Sequence, residues 1–182
     1  DGSSVLTSCA DGAARLWRAA GGGAARSLAH EGATSAAFSP DGASAITASS
    51  DGTAKVWDVA TGECKQVIGY RDWEAVNSAV FSPDGASVLT ASRDGTAKIW
   101  ALGTGECARI LGHDNWKAVR AAAFSPDGAL VLTASSDRSA KIWASESGEC
   151  LRALAGHEGG VSSIALGHAE VQAEGAPGGP AA

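Results

Sequence analysis

The sequence predicts an all-β protein made of four-stranded antiparallel sheets, repeated to about four sheet equivalents, on three observations. The phrase Phe38-Ser39-Pro40-Asp41-Gly42-Ala43 returns from Phe81 to Ala86 and from Phe124 to Ala129, each copy 43 residues after the last. A tryptophan keeps step with it at Trp17, Trp57, Trp100 and Trp143, spaced 40, 43 and 43 residues apart. Between these landmarks, short alternating apolar runs are punctuated by Pro, Asp and Gly, the pattern of strands joined by tight turns. Self-similarity at such a period marks a stacked array of one unit that cannot bury its apolar face alone.

The elements follow in order. Residues 1–28 read as a partial unit, because Asp1-Gly2-Ser3-Ser4-Val5-Leu6-Thr7 matches Asp84-Gly85-Ala86-Ser87-Val88-Leu89-Thr90 and supplies only strands two to four. Residues 29–68, 69–111 and 112–154 read as complete units. In the last, Ala118 to Phe124 is an extended apolar run stopped by Ser125-Pro126-Asp127-Gly128, where Pro presets one turn position and Gly admits positive φ. Ala129 to Ser135 forms the second strand, Ser136-Asp137-Arg138 the next turn, Ser139 to Trp143 the third strand and Glu149 to Leu154 the fourth. Residues 155–166 hold a lone first strand, Val161 to Leu166, and residues 167–182 are a Gly/Pro/Ala tail expected to be disordered.

Composition narrows the function. A formal net charge of −6 argues against general attraction to nucleic acid or anionic lipid. No run approaches the roughly eighteen apolar residues of a membrane span, so a soluble, intracellular and cytoplasmic protein is expected. Cys64, Cys107 and Cys150 share one repeat position, too far apart across neighbouring units to bridge, which favours reduced thiols. No clustered Cys/His spacing suggests a metal, and no cofactor is expected. Lys55, Lys98, Lys141 and Arg15 share another repeat position and read as a solvated strand edge.

Gly112-His113, Gly156-His157 and Trp57-Asp58 carry a resemblance to the WD-repeat β-propeller family, whose units of this length open near Gly-His and close near Trp-Asp. The resemblance covers about residues 1–166 and implies propeller blades, about four blade equivalents, in a partial propeller or fragment. Departures stand beside it: His30 follows Ala29, Tyr70 occupies a His position, and Trp17, Trp100 and Trp143 are not followed by Asp. It further implies a buried chain of loop His, second-strand Thr, turn Asp and third-strand Trp in each blade. These sets are His30, Thr47, Asp51 and Trp57; His113, Thr133, Asp137 and Trp143; Tyr70, Thr90, Asp94 and Trp100; and, if the ring closes on itself, His157 with Thr7, Asp11 and Trp17. Ser49 or Ser135 could stand in for the threonine.

His113, Asp137 and Thr133 also match the residue types of a nucleophilic triad, but recurrence in register with Trp favours structure over catalysis. No Gly-x-Ser-x-Gly, phosphate-binding Gly-x-x-x-x-Gly-Lys or His-Glu-x-x-His is present. The expected function is therefore a non-catalytic scaffold for a protein or peptide. The alternative is a regulatory repeat domain of a larger multidomain enzyme, a kinase or NTPase. Two inter-blade loops are lengthened and carry a tryptophan: Trp73 with Arg71, Asp72 and Glu74, and Trp116 with Asp114, Asn115 and Lys117. They are the candidate partner-binding rim. The array is expected to belong to a longer propeller, close as a strained four-blade ring, or pair with a second copy, and an incomplete ring would self-associate.

Overall fold

The computed structural model describes residues 2–9, 11, 13–21, 23–69 and 74–166. Among these residues, fifteen strands lie in four antiparallel sheets. Sheet 1 has three: β1 (Ser4–Cys9), β2 (Ala13–Arg18) and β3 (Ala24–Ala29). Sheet 2 runs β4 (Ala33–Phe38), β5 (Ser44–Ser49), β6 (Thr53–Asp58) and β7 (Cys64–Gly69). Sheet 3 runs β8 (Val76–Phe81), β9 (Ser87–Ser92), β10 (Thr96–Ala101) and β11 (Cys107–Gly112). Sheet 4 runs β12 (Val119–Phe124), β13 (Leu130–Ser135), β14 (Ala140–Ala144) and β15 (Cys150–Leu154). Strand order follows chain order in every sheet.

Each first hairpin is closed by its Ser-Pro-Asp-Gly. Ser39 Oγ donates to Asp41 Oδ1 at 2.5 Å and accepts the Ser44 N–H at 2.9 Å, while the Ala43 N–H donates to the same carboxylate. Gly42 sits at φ 70°, a conformation that favours a residue without Cβ. The same bonds recur around Asp84 and Asp127.

The sheets pack in sequence, sheet 1 on 2, 2 on 3 and 3 on 4, and among the described residues no comparable contact joins sheet 4 to sheet 1. The core lies at these junctions. Ile46, Val56 and Ile68 of sheet 2 meet Val76, Phe81 and Trp100 of sheet 3; Leu89, Ile99 and Leu111 of sheet 3 meet Val119, Val131 and Trp143 of sheet 4. Each third-strand Trp thus seals its sheet against its predecessor, and Trp57 does so against Ala14 and Leu28 of sheet 1. A register shift just before Trp17, Trp57, Trp100 and Trp143 precedes each ring, and bulges of this kind re-aim a side chain. Inner strands are stitched too. Thr34 Oγ1 donates to Val76 O at 2.6 Å and Asn77 Nδ2 to Val119 O at 2.7 Å.

One expectation is corrected. Val161–Leu166 forms no strand and does not pair with β1; among the described residues its one backbone hydrogen bond is the Val161 N–H donating to Ser135 O at 2.9 Å. Among the described residues β1 therefore has an unpaired edge, its residues alternate between half-buried and exposed, and Val5 is 48% exposed, whereas the equivalent β5, β9 and β13 are buried almost throughout. The 167–182 tail lies outside the described residues.

Candidate functional site

In sheet 2 a polar chain runs from indole to carboxylate. Trp57 Nε1–H donates to Thr47 Oγ1 at 2.9 Å, and the Thr47 hydroxyl, 2.6 Å from His30 Nδ1, is left to donate to that nitrogen. The opposite imidazole nitrogen then carries the proton and donates to Thr53 Oγ1 at 3.0 Å, and Thr53 donates to Asp51 Oδ1 at 2.7 Å. The polarity is forced at both ends, since indole only donates and a carboxylate only accepts. Trp57 lies opposite Ala45, one diagonal step from Thr47 on the same sheet face, so the pairing register delivers the indole to the hydroxyl.

Sheet 4 repeats the chain with the ring turned over. Trp143 Nε1–H donates to Thr133 Oγ1 at 2.8 Å, Thr133 Oγ1 lies 2.6 Å from His113 Nε2, and His113 Nδ1–H donates directly to Asp137 Oδ2 at 2.9 Å. Ser139 supplies a second hydroxyl to Asp137 at 2.7 Å. Burial lowers the His30 pKa to about 4, with the Lys55 charge adding to the effect, and burial lowers that of His113 against the opposing pull of Asp137. Both imidazoles are therefore neutral at neutral pH, as the chain of donors requires. Burial alone would raise Asp51, Asp94 and Asp137, but their hydrogen bonds hold all three below the usual carboxylate range.

Sheet 3 is built differently. Trp100 Nε1–H still donates to Thr90 Oγ1 at 2.9 Å, but Asp94 takes the Lys98 ammonium at 2.5 Å and the Thr96 hydroxyl at 2.6 Å. Tyr70 lies outside the described residues, as do Arg71, Asp72 and Trp73. In sheet 1, Trp17 donates to Thr7 at 2.8 Å and Arg15 to Asp11 at 2.7 Å, while His157 is exposed and reaches neither. The fourth set expected for a closed ring is thus not assembled, because residues 155–166 do not dock on β1.

The sequence left Thr and Ser as alternatives, and the structure separates them. Thr47 and Thr133 join the imidazole to the indole, whereas Ser49 and Ser135 bond loop carbonyls and receive the N–H of the turn aspartates. Thr53, Thr96 and Ser139 were missed as members of the chain. Their signal is readable in retrospect as a hydroxyl two residues after each turn aspartate, the spacing of an Asx turn. The solvated strand edge is also corrected. Lys98 and Lys141 are buried, Lys98 on Asp94 and Lys141 on Asp114 at 3.1 Å, and Lys55 and Lys141 each lie 5.6 Å over their Trp rings. An ammonium whose stem covers an aromatic face is better placed there than on an open edge. Thr133 is fully buried with its oxygen shared by two neighbours, so no substrate carbonyl can approach it.

At the end of the sheets carrying the turn aspartates, the loop from β11 to β12 makes one 3₁₀ turn, Asp114–Trp116. Asn115 and Trp116 adopt φ 60° and 53°, and a Cβ on Gly95 would lie 2.8 Å from Trp116 Cα, so this loop rests directly on the β9–β10 turn. Trp116 is 80% exposed, and Asn115 and Lys117 are exposed beside it. The ring does not fold back over its own sheet. An open cleft of about 530 Å³ lies next to it, lined by Glu74, Arg93, Asp94, Ala118 and Arg120. Among the described residues, no cluster of His, Cys, Asp and Glu could hold a metal, and no helix is long and apolar enough to cross a membrane.

The repeats match a known family at residues 24–58, 62–101 and 105–144, the family described as "WD domain, G-beta repeat". Each matched segment begins near the last strand of one sheet and ends with the third strand of the next, so the sequence unit straddles two blades. No curated protein matches the chain. With three tandem matches covering more than half its length, the chain belongs to the WD-repeat family of β-propeller blades.

Proposed function

We propose that the chain is a non-catalytic interaction domain that holds a protein or peptide across the loop rim at the junction of sheets 3 and 4. Repeats of this family mediate protein–protein interaction, and the observation that carries the reading here is Trp116, a large apolar ring held in solvent by a loop seated on Gly95. Burying such a ring against a partner removes apolar surface that the fold itself leaves wet, the usual economy of a binding hot spot. The negative net charge disfavours nucleic acid as that partner. Four exposed free thiols support an intracellular setting.

Selection of binders from a displayed random-peptide library, followed by calorimetry, tests the reading. Trp73→Ala with Trp116→Ala is expected to weaken the selected peptides by more than about tenfold, the loss of one well-buried anchor. The thermal midpoint should stay nearly unchanged. Peptides that bind the double variant as well as the parent, or that cross-link to the opposite end at the turns around Asp41 and Asp84, would overturn it.

A further inference from the structure

At this rim the internal copies differ at four positions that are cationic in or beside the last unit, although Asp114 there stands where the preceding unit has Arg71. Lys117 stands where the earlier units have Glu31 and Glu74, Arg120 where they have Thr34 and Asn77, and Arg138 where they have Gly52 and Gly95. Arg93 of the adjacent turn replaces the Ser50 and Ser136 of its equivalents. All four cations are exposed. Arg93 and Arg120 line the cleft beside Trp116, and Arg120 Nε donates to Ser136 Oγ at 2.8 Å, in the same turn as Arg138.

The acids nearby are mostly engaged. Asp94 is held by Lys98, Asp114 by Lys141, and Asp137 by His113 and Ser139. Glu74 alone lines the cleft as a carboxylate with its side chain unbonded among the described residues. A protein of net charge −6 thus gathers a positive field on one rim, around an exposed indole.

Two of the cations occupy positions that do other work, or are glycine, in the earlier units. Arg138 keeps φ 75° at a site that is glycine in the other units, a backbone conformation costly for a side chain with Cβ. Arg120 stands where Thr34 and Asn77 stitch one inner strand to the next through a carbonyl, and among the described residues sheet 4 has no following strand to receive such a tie. Strain tolerated at Arg138, and a charge placed at a position with no strand to stitch, are what a binding role would select.

Resting on the reading of this rim as the interaction face, we propose that its partner is an acidic peptide segment. Asp or Glu carboxylates would be taken by Arg93, Arg120 and Arg138, and an adjacent aliphatic side chain would cover the Trp116 indole. Guanidinium forks suit carboxylates because two parallel N–H bonds meet two oxygens.

Fluorescence anisotropy with a labelled Asp/Glu-rich peptide centred on two leucines, beside its Asn/Gln counterpart, tests the proposal, with the library-selected peptides run in parallel. The acidic probe should bind at least about tenfold more tightly than the amide probe, and the margin should shrink as salt rises from about 20 to about 200 mM. Arg93→Gln with Arg120→Asn, the second change borrowing the residue found at position 77, should remove most of that margin while leaving the thermal midpoint in place. Trp116→Ala should weaken both probes. Equal binding of the two probes, or a margin untouched by the arginine changes, overturns the acidic partner even if selected peptides still bind the rim. If no selected peptide binds there either, the interaction-face reading falls with it.

Discussion

Sheets 3 and 4 carry nearly the same sequence and bury the same Thr–Trp pair, yet they neutralise their turn aspartates with different chemistry. Sheet 4 interposes His113 between Thr133 and Asp137, so one continuous chain of donors links indole to carboxylate. Sheet 3 gives Asp94 the ammonium of Lys98 from its own third strand, and among the described residues Thr90 serves Trp100, with a weaker 3.5 Å bond to Lys98 O. The imidazole ties loop, second strand and turn together; the lysine pairs two residues of a single hairpin. Among the described residues, the same repeat thus satisfies its turn carboxylate through an imidazole that links separate segments in sheet 4 and through an ammonium of its own hairpin in sheet 3.

Cutting the shared threonine gives the widest expected difference. Thr133→Val leaves both the Trp143 indole N–H and the His113 ring nitrogen unsatisfied at a fully buried site, and Thr47→Val does the same in sheet 2. A loss of about 3 kcal/mol is expected for each, against about 1.5 kcal/mol for Thr90→Val, which strands one strong donor. Urea unfolding of the three variants measures it. Equal losses would mean that the imidazole contributes nothing through the hydroxyl.

Acid distinguishes the sheets next. His30 and His113 are depressed in the folded state, so between the ordinary imidazole value and the folded one the unfolded chain binds more protons and stability falls as pH falls. For His30 the window runs from about 6.5 down to about 4, and a loss of about 2 kcal/mol by pH 4.5 is expected from it. Asp51, Asp94 and Asp137, also depressed, contribute stability that disappears only below the ordinary carboxylate value, near 3.8. Sheet 3 has only this lower window among the described residues. Imidazole resonances followed by NMR, together with unfolding midpoints from pH 7 downward, decide it: a titration near 6.5 for His30, or midpoints flat to pH 4.5, would contradict the burial assigned to the ring.

This contrast also marks how far the sequence could be read. Repetition of Ser-Pro-Asp-Gly and Trp in phase was enough to expect four short antiparallel strands per period, because turn chemistry and alternation are local. The polar sets around His30 and His113 were reachable through a family pattern written at fixed offsets. What escaped depended on which face a side chain shares with its neighbours. Lys98 and Lys141 look like exposed edge charges in a linear pattern; alternation puts each on the face of the Trp two residues on, but only the packing of sheet on sheet shows that this face buries the lysine as well. The Val161–Leu166 strand failed for a related reason: alternation states that a segment could pair, not that a partner edge is within reach.

The smallest effect concerns the turns that follow the two aspartates. In sheet 3 the residue after Asp94 is Gly95 at φ 86°; in sheet 4 the residue after Asp137 is Arg138 at φ 75°. The two sites are not equally open to a side chain. A Cβ on Gly95 would come within 2.8 Å of the Trp116 backbone, whereas the arginine is exposed. Arg138→Gly should relieve the left-handed strain, and after the extra entropy of a glycine in the unfolded chain is subtracted a gain of about 0.5 kcal/mol is expected. The converse Gly95→Ala should lose about 2 kcal/mol or displace the Trp116 loop, since strain and overlap add there. Thermal unfolding of both variants reads the pair, and a loss of stability in Arg138→Gly would show that the guanidinium serves the fold of sheet 4 rather than the rim above it.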